Sequence, residues 1–214
     1  MCTAINDNNY LPQDNSSFCK MEHSDIYHKK NIRDQYFIET IKETSNHKEN
    51  SDLYIETKNI ELTSPSENNI SVFDVGQYVL KCLPDHRCST MKLHKLLYYC
   101  QAWSLVWNDR PLFKEKIEAW ANGPVIRELF VFHKGLFSLS YLDLTTGNEE
   151  NLSKEQEETI NDVLAFYGNR DTQWLIDLTH SEDPWRQARK GLKPMERGKE
   201  EITLESMNAY YSSL

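Results

Sequence analysis

The most regular pattern of apolar and polar positions in the chain lies between residues 90 and 125. In its first part, apolar residues recur at intervals of three and four, which is the spacing of one face of an α-helix. These residues are Leu93, Leu96, Leu97, Cys100, Trp103 and Trp107. Thr90 is placed to cap this helix, and Arg110-Pro111 is expected to end it. Lys116 to Ala121 is short and aromatic, as in a strand, and Gly123-Pro124 predicts a further helix with proline at its first position.

The segments on either side of this stretch also carry helix and strand patterns. A first helix is expected before it, stopped by Pro84, with one apolar face formed by Val72, Val75, Val79 and Leu83. After it, the helix predicted at Gly123-Pro124 continues to about Gly135, with a stripe of Val125, Leu129, Phe132 and Leu136. Phe137 to Leu144 alternates well enough to be a strand, and it can pair with Ile117 to Ala121 in a small sheet.

Three further helices are predicted in the last third of the chain. Asn151 to Gly168 gives the clearest pattern, because Ser153 and Gln156 form a capping box and Gly168 lies where a left-handed C-cap belongs. A shorter helix is expected from about Thr172 to His180. Thr203 is placed to cap a final helix, whose apolar residues are Leu204, Met207, Tyr210 and Tyr211. The predicted fold class is therefore mainly α with a small antiparallel β-sheet, that is, α+β.

Residues 1 to 70 differ in composition from the rest of the chain, being rich in Asn, Ser, Asp, Glu and Lys and lacking Trp and Gly. A segment with so few large apolar residues buries little surface, so burial does not offset the entropy lost on ordering. We expect a polar, largely disordered extension, or else a small variable module with a helix at Ile26 to Ile41 and a strand at Leu53 to Leu62. The boundary with a compact helical domain of residues 71–214 is predicted near Ser64 to Asn69.

The chain has a formal net charge of −9, which argues against a general nucleic-acid-binding surface. No apolar run reaches the roughly 18 residues of a membrane span, and the amino terminus has no secretory pattern. We therefore expect a cytoplasmic protein. Its five cysteines form no regular framework and are expected to be free thiols in a reducing compartment; they are Cys2, Cys19, Cys82, Cys88 and Cys100.

Two places in the sequence can be tested for reactive chemistry. Cys82, His86 and Cys88 lie close together, but their spacing is not that of paired zinc ligands, so no metal site is assigned. His180 is the best candidate for a general base, yet nothing in the sequence supplies its nucleophile, and Cys100 lies on an apolar helix face. There is no phosphate-binding glycine loop or nucleophile motif, so no cofactor and no catalytic residue are assigned.

The placement of tryptophan indicates candidate contact residues instead. Trp120 precedes Asn122-Gly123-Pro124, where the chain is expected to turn sharply, and Trp185 lies between Pro184 and Arg186. Aromatic and arginine side chains dominate the energetics of protein interfaces, so these residues are candidates for binding a partner. The alternative is that both tryptophans fix loops against the core.

Two polar features complete the picture. Lys95 lies on the shoulder of the apolar stripe, from which it can extend to solvent or pair with a carboxylate such as Glu118. The basic segment from Arg186 to Lys199 contains two glycines and a proline, which indicates a loop rather than a recognition helix. We expect this segment to be solvated surface.

Several blocks of the sequence, in order, are similar to a known family. They are Met91-Lys92-Leu93, Lys95-Leu96-Leu97-Tyr98, Pro111-Leu112-Phe113, Glu118-Ala119-Trp120, Gly123-Pro124-Val125, Leu178-Thr179-His180, Pro184-Trp185, Ile202 and Tyr210-Tyr211. Together they resemble the Panacea domain, the SocA-like antitoxin domain of phages and bacterial toxin–antitoxin loci. The resemblance spans residues 72 to 212.

The resemblance implies an antitoxin that binds a cognate toxin, commonly encoded beside it, and suppresses it by direct contact or by delivery to a Clp-type protease. It implies binding rather than catalysis, and an acidic protein suits a basic toxin. The candidate partner-binding residues are Lys95, Trp120, Asn122, Gly123, Pro124, His180, Pro184, Trp185 and Arg186. Two other classes stay open, namely a DNA-binding autoregulator, although no helix-turn-helix pattern is seen, and a phage-encoded hydrolase acting through His180.

Overall fold

The computed structural model describes residues 70–214 of the chain. Its helices are α1 Val72–Cys82, α2 Thr90–Asn108, α3 Arg127–Phe132, α4 Lys154–Tyr167, α5 Thr172–Ser181, α6 Asp183–Ala188 and α7 Leu204–Tyr211, with short 3-10 turns at Pro84–His86 and Glu149–Asn151. Its strands are β1 Arg87–Ser89, β2 Ile117–Trp120, β3 Gly123–Ile126 and β4 Ser138–Ser140. The fold is mainly helical with small antiparallel sheets, which confirms the predicted class. The elements and the boundary predicted before residue 70 lie outside the described residues.

Helix α2 runs through the centre of the core and packs against α1, α4, α5 and α7. Its apolar stripe is fully buried at Leu93, Leu96, Leu97, Cys100 and Trp103. The predicted cap at Thr90 is wrong by one residue, because the Ser89 hydroxyl accepts the N–H of Lys92 at 3.1 Å and Thr90 is the first helical residue. The helix ends at Asn108, where Asp109 adopts a left-handed conformation before the predicted Arg110-Pro111 break.

The core next to α2 is aromatic, and it encloses one carboxylate. Tyr99 stacks on Tyr167 with ring centres 4.1 Å apart, and Trp103 meets the edge of Tyr211 at 5.5 Å. Glu182 is fully buried and accepts the hydroxyl of Tyr99 at 3.1 Å and that of Tyr211 at 2.6 Å. The carboxylate therefore holds α7 against α2, a role that sequence reasoning did not assign to Glu182.

Replacing Tyr211 with phenylalanine is expected to lower the free energy of unfolding by about 1–2 kcal/mol, because a buried carboxylate loses one hydroxyl donor. Burial and the charge of Glu182 raise the pKa of Tyr211, so its hydroxyl stays protonated as a donor. Urea unfolding measures the change. Tyr141→Phe is the matched control, because its hydroxyl donates to Glu149 at 3.0 Å from a half-buried position. Equal losses in the two variants would contradict a special role for the buried carboxylate.

Strands β2 and β3 form a tight antiparallel hairpin in which Trp120 pairs with Gly123 across the turn at Ala121 and Asn122. The helix predicted to begin at Gly123-Pro124 is therefore wrong, because these residues are extended and α3 begins only at Arg127. Gly123 has φ +98°, a conformation that glycine adopts without a Cβ penalty. The tight turn uses the same residues that would otherwise open a helix.

The predicted pairing of residues 137–144 with 117–121 is also wrong. Strand β4 pairs with β1, with Leu139 opposite Cys88. Both edges of β2 are already occupied, because β3 lies on one side and residues 200–202 lie on the other. There the N–H of Ala119 donates to the carbonyl of Glu200 at 2.8 Å, and the N–H of Ile202 donates to that of Ile117 at 2.8 Å.

The helix ends agree with most of the predicted signals. Leu83 follows α1 and precedes Pro84 as expected, the capping box of Ser153 and Gln156 is formed, and Thr203 caps α7. The left-handed cap predicted at Gly168 is wrong, because Gly168 has φ −60° and ψ −35°, within the right-handed helical region. A Cβ on Gly168 would lie 2.5 Å from the carbonyl oxygen of Leu164, so close packing accounts for this glycine.

Candidate functional site

A cavity of about 320 Å³ opens beside the amino-terminal end of α2. Met91 and His94 of α2 form one wall, and Phe130 and His133 of the α3 region form another. The β2–β3 turn contributes Trp120 and Asn122, and Met195 and Arg197 come from the loop before α7. Four separate parts of the chain therefore converge on this cavity.

Trp120 connects the turn to the other walls of the cavity. Its ring meets Phe130 edge-on, with centres 4.7 Å apart, and the guanidinium of Arg197 lies 5.3 Å from the ring centre. Its indole N–H donates to Glu118 at 2.7 Å. The half-buried ring thus presents one face to a cation at the mouth of the cavity. Asn122 is exposed at the tip of the turn.

Trp185 supports the same turn from behind. Its indole N–H donates to the carbonyl of Trp120 at 2.9 Å, and its ring stacks on His180 with centres 4.0 Å apart. Pro184 is buried in the first turn of α6, where a missing N–H costs nothing. Trp185 therefore fixes a loop against the core, which was one of the two alternatives that the sequence left open.

Lys95 lies beneath the turn and is fully buried. Its ammonium donates to the carbonyl of Pro124 at 3.0 Å and lies 3.7 Å from the sulfur of Met91, and no ion pair to Lys95 is found within residues 70–214. The expectation that Lys95 extends to solvent or pairs with Glu118 is wrong, because the side chain packs under Gly123 instead. Burial lowers the pKa of Lys95 from 10.5 to about 7.

Two histidines form a hydrogen-bonded pair in the cavity wall. His94 Nδ1 accepts the N–H of Ile126 at 3.2 Å, so the proton of a neutral His94 is on Nε2, which lies 2.8 Å from Nε2 of His133. Burial, together with the charges of Lys95 and His133, lowers the pKa of His94 well below 6.5, and burial also lowers that of His133. Both rings are therefore neutral at pH 7.

His180 is half-buried against Trp185 rather than placed beside a nucleophile. Burial, and next the charge of Lys95, lowers its pKa from 6.5 to about 4. Its Nε2 is buried and accepts no hydrogen bond within the described part of the chain. His180 thus packs behind the turn, and this geometry gives no support to the hydrolase alternative.

The basic segment divides into exposed and buried positions. Arg186 is exposed and lies 3.6 Å from Asp183, separate from the hydrogen bonds around the turn. Arg189, in contrast, is only 6% exposed and donates to the carbonyl of Ala119 at 2.9 Å. It also donates to the carbonyls of Lys193, Pro194 and Glu196 at 2.8–3.1 Å. The prediction of solvated surface is therefore wrong at Arg189, which holds the loop carrying Met195 and Arg197.

Four exposed apolar side chains follow or flank the cavity residues Phe130 and His133 in sequence, and we call them the exposed apolar face. They are Val131, Phe132, Leu136 and Phe137, with exposed fractions of 63%, 37%, 52% and 93%. Two of these residues belong to α3, which also supplies Phe130 of the cavity wall. Phe137 is connected to the opposite wall, because its carbonyl accepts the N–H of Thr90 at 3.0 Å. Sequence reasoning missed this face because Phe132 and Leu136 were assigned to an apolar helix stripe and Phe137 to a strand, while Val131 was not singled out.

Three further expectations concern metals, thiols and membranes. Within residues 70–214, no group of three or more His, Cys, Asp or Glu is placed to hold a metal ion, and Cys82, Cys88 and Cys100 are free thiols. Cys2 and Cys19 lie outside the described residues. None of the helices described in residues 70–214 combines the length and the apolar character needed to cross a membrane.

Comparison with known proteins finds a similarity to one family over part of the chain. Residues 93–186 match the family whose description is antitoxin SocA-like, Panacea domain. No curated protein and no solved structure shows significant similarity to the chain. The match is shorter than the predicted 72–212, but it runs from α2 to α6 and includes every candidate partner-binding residue. Residues 93–186 of this chain are therefore similar to the Panacea domain of the SocA-like antitoxins.

Proposed function

We propose that this protein is an antitoxin that binds a cognate toxin, encoded beside it, and neutralises the toxin by direct contact. The family match over residues 93–186 is the observation that carries this proposal. The toxin would contact the cavity mouth and the adjoining apolar face. In this arrangement Trp120 and Asn122 touch the toxin, while buried and half-buried residues hold the turn in place from behind. The buried ones are Lys95, Gly123, Pro124 and Pro184, and the half-buried ones are His180 and Trp185.

The apolar face supports this choice of surface. Exposed apolar residues that adjoin one another are characteristic of interaction sites, whereas single exposed apolar residues are ordinary. Phe137, at 93% exposed, is a large side chain with little contact of its own, so covering it with a partner gains free energy. Trp120 and Arg197 are the residue types that dominate binding energies when an interface excludes water.

The charge of the chain favours a basic partner. A net charge of −9 attracts a positively charged toxin over several ångströms and so increases the association rate of the two proteins. Added salt screens this attraction and lowers the rate. In a second form of the proposal, the same contact delivers the toxin to a Clp-type protease. The two forms differ in whether the toxin persists in the cell, and the antitoxin surface is the same in both.

Co-expression with the neighbouring gene product tests the proposal. The neighbour is expected to be toxic alone and harmless with the full-length chain, and a tag on this chain should recover both proteins. Rescue with a stable complex supports direct neutralisation. Rescue with loss of the toxin, reversed when the protease is deleted, supports delivery. A neighbour that is toxic in both conditions would contradict the proposed function.

Phe137→Ser tests the apolar face within the same assay. It is expected to weaken toxin binding at least about tenfold, because truncating a central aromatic anchor costs ~2 kcal/mol or more. Leu204→Ser on α7 is the control, since it also removes an exposed apolar side chain from a different element. Thermal unfolding of both variants checks that the fold is retained. Equal toxin affinity for Phe137→Ser and the unchanged protein would exclude this face as the contact surface.

A further inference from the structure

The cavity has an unusual charge composition for an acidic protein. Its lining includes no aspartate and no glutamate, although the chain carries 33 acidic residues against 24 lysines and arginines. The ionisable side chains that line it are Arg197, His94 and His133. Glu118, which is close in sequence, is engaged by the indole of Trp120 instead. A ligand entering this cavity therefore meets cationic and neutral groups, not carboxylates.

A basic group also lies directly behind one wall, namely Lys95, whose pKa of about 7 leaves it partly protonated at neutral pH. Met91 lines the cavity, and its sulfur is 3.7 Å from the ammonium of Lys95. Met91 thus contacts both the amine of Lys95 and the cavity, and the flexible methionine side chain adapts readily to new neighbours. At the mouth, Arg197 has no ion pair within residues 70–214, and the ring of Trp120 holds its guanidinium in place.

The remaining walls are apolar. Trp120 and Phe130 meet edge-to-face, and Met91, Val125 and Met195 complete a surface that suits an aromatic or branched aliphatic group. A volume of about 320 Å³ is at the lower end of the range for small-ligand sites, so it accommodates one such group rather than a large cofactor. Apolar walls with a cation at the mouth suit a ligand that combines an apolar group with a negative charge.

We infer that the cavity is a binding site for a carboxylate carried on an apolar group, with Arg197 pairing the carboxylate and Trp120 and Phe130 enclosing the apolar part. The guanidinium presents a planar pair of donors, the geometry that carboxylates accept. Asn122 adds an amide at the same rim. The carboxylate has two possible sources, a small free acid or the carboxyl-terminal residue of another polypeptide. Binding of a free acid does not require the proposed toxin.

Calorimetric titration of the full chain with phenylacetate and with phenylacetamide tests the inference. The two probes share the aromatic ring and differ in charge. Phenylacetate is expected to bind at least about tenfold more tightly than the amide, since a charge-assisted pair with Arg197 adds ~1.5 kcal/mol or more. Equal affinity for the two probes, or no binding of phenylacetate at millimolar concentration, would overturn the assignment.

Two variants that each remove one positive charge test whether the preference for phenylacetate depends on the cavity. Arg197→Gln is expected to remove the preference for the acid, whereas Lys199→Gln removes the same charge from the same loop outside the cavity lining and should leave the preference intact. If both variants lose the preference equally, general charge rather than the cavity is responsible and the inference fails. Both positions are exposed, so neither change should impair folding.

Short peptides distinguish the two sources of the carboxylate. Acetyl-Gly-Gly-Phe with a free carboxyl terminus is compared with the same peptide carrying a terminal amide. Binding of the free-acid peptide in addition to phenylacetate supports capture of a chain terminus, and binding of phenylacetate alone supports a small free acid. Preferential binding of the amidated peptide would contradict the site. None of these titrations contains a toxin, so their outcome is separate from that of the co-expression assay.

Discussion

Replacing Lys95 with methionine is expected to stabilise the protein at pH 7 by about 3 kcal/mol. Burial lowers the pKa of Lys95 from 10.5 to about 7, which corresponds to an upper limit of about 5 kcal/mol for the penalty on its charge. Methionine keeps an unbranched side chain that ends one atom earlier, at the position of Cε, and it removes that penalty. Loss of the hydrogen bond to the carbonyl of Pro124 costs about 1 kcal/mol of stability. Relaxation of the protein around the charged lysine already lowers its penalty, so the stability gained by the substitution is smaller than the upper limit.

The pH dependence of stability identifies the cause. The pKa is lower in the folded protein, so the unfolded chain binds a proton that the folded chain does not between pH 10.5 and about 7. The favourable contribution of neutral Lys95 is complete above pH 10.5 and is lost as the pH falls through about 7. Urea unfolding from pH 7 to 10 should show stability rising with pH in the unchanged protein and rising less in Lys95→Met.

Lys92→Met is the matched control on the same helix. Lys92 donates to the carbonyl of Gly168 at 2.7 Å from a partly exposed position, so its replacement should cost about 1 kcal/mol rather than stabilise. A Lys95→Met protein that is less stable than the unchanged protein across this pH range would refute the buried-charge argument. A gain in stability combined with weaker toxin binding would indicate that the costly lysine is retained for function.

Gly123→Ala is expected to destabilise the protein by roughly 3 kcal/mol or more. Two causes add together. The backbone at Gly123 has φ +98°, which side-chain-bearing residues adopt only at a cost. The new Cβ would also lie 2.5 Å from Cε of Lys95 and 3.0 Å from the hydroxyl oxygen of Thr179.

Two companion variants separate the strain from the steric clash. Gly135→Ala has a similar φ of +93° but no atom within 4 Å of its new Cβ, so it reports the backbone strain alone. In a Lys95→Ala background, Gly123→Ala should cost less, because Cε of Lys95, the nearest atom to the new Cβ, is gone and only the hydroxyl of Thr179 remains close. Equal costs for Gly123→Ala and Gly135→Ala in urea unfolding would show that Lys95 does not press on the turn.

Local signals in the sequence identified the long helices well. The stripe of α2, the capping box at Ser153 and the cap at Thr203 each depend on residues within one or two turns, so the sequence contains the whole interaction. The short strands behaved differently. Three residues at 87–89 and three at 138–140 are too few to reveal a period of two, and only the folded chain brings them together.

The prediction of a helix start at Gly123-Pro124 was wrong for a related reason. Proline after glycine is common at the start of a helix, and nothing nearby in sequence contradicts that interpretation. What decides the conformation is the pairing of Ala119 with Pro124, a contact within a hairpin whose other edge is covered by residues 200–202. Tertiary pairing thus overrides the local preference, as it often does for short segments.

The sequence pointed to several residues that the structure brings together around the β2–β3 turn, but not to their arrangement, and their role in binding stays a prediction. Trp120 and Asn122 line the cavity, and Lys95, His180 and Trp185 lie behind the same turn, so the residues chosen from sequence do meet. The burial of Lys95 could not be predicted, because a lysine beside an apolar stripe ordinarily extends to solvent. Met195 and Arg197 escaped notice because their loop is distant in sequence from the turn.

The buried guanidinium of Arg189 has a consequence for genetic screens. It joins the backbone of β2 to three carbonyls of the loop that supplies Met195 and Arg197. Substitutions at Arg189 will therefore be recovered together with those at Arg197 when variants are selected for loss of binding at the cavity. Of these two arginines, Arg197 lines the cavity and can contact a ligand, whereas Arg189 is buried. A compensating charge change in the partner is therefore expected to restore binding for variants at Arg197 and not for those at Arg189.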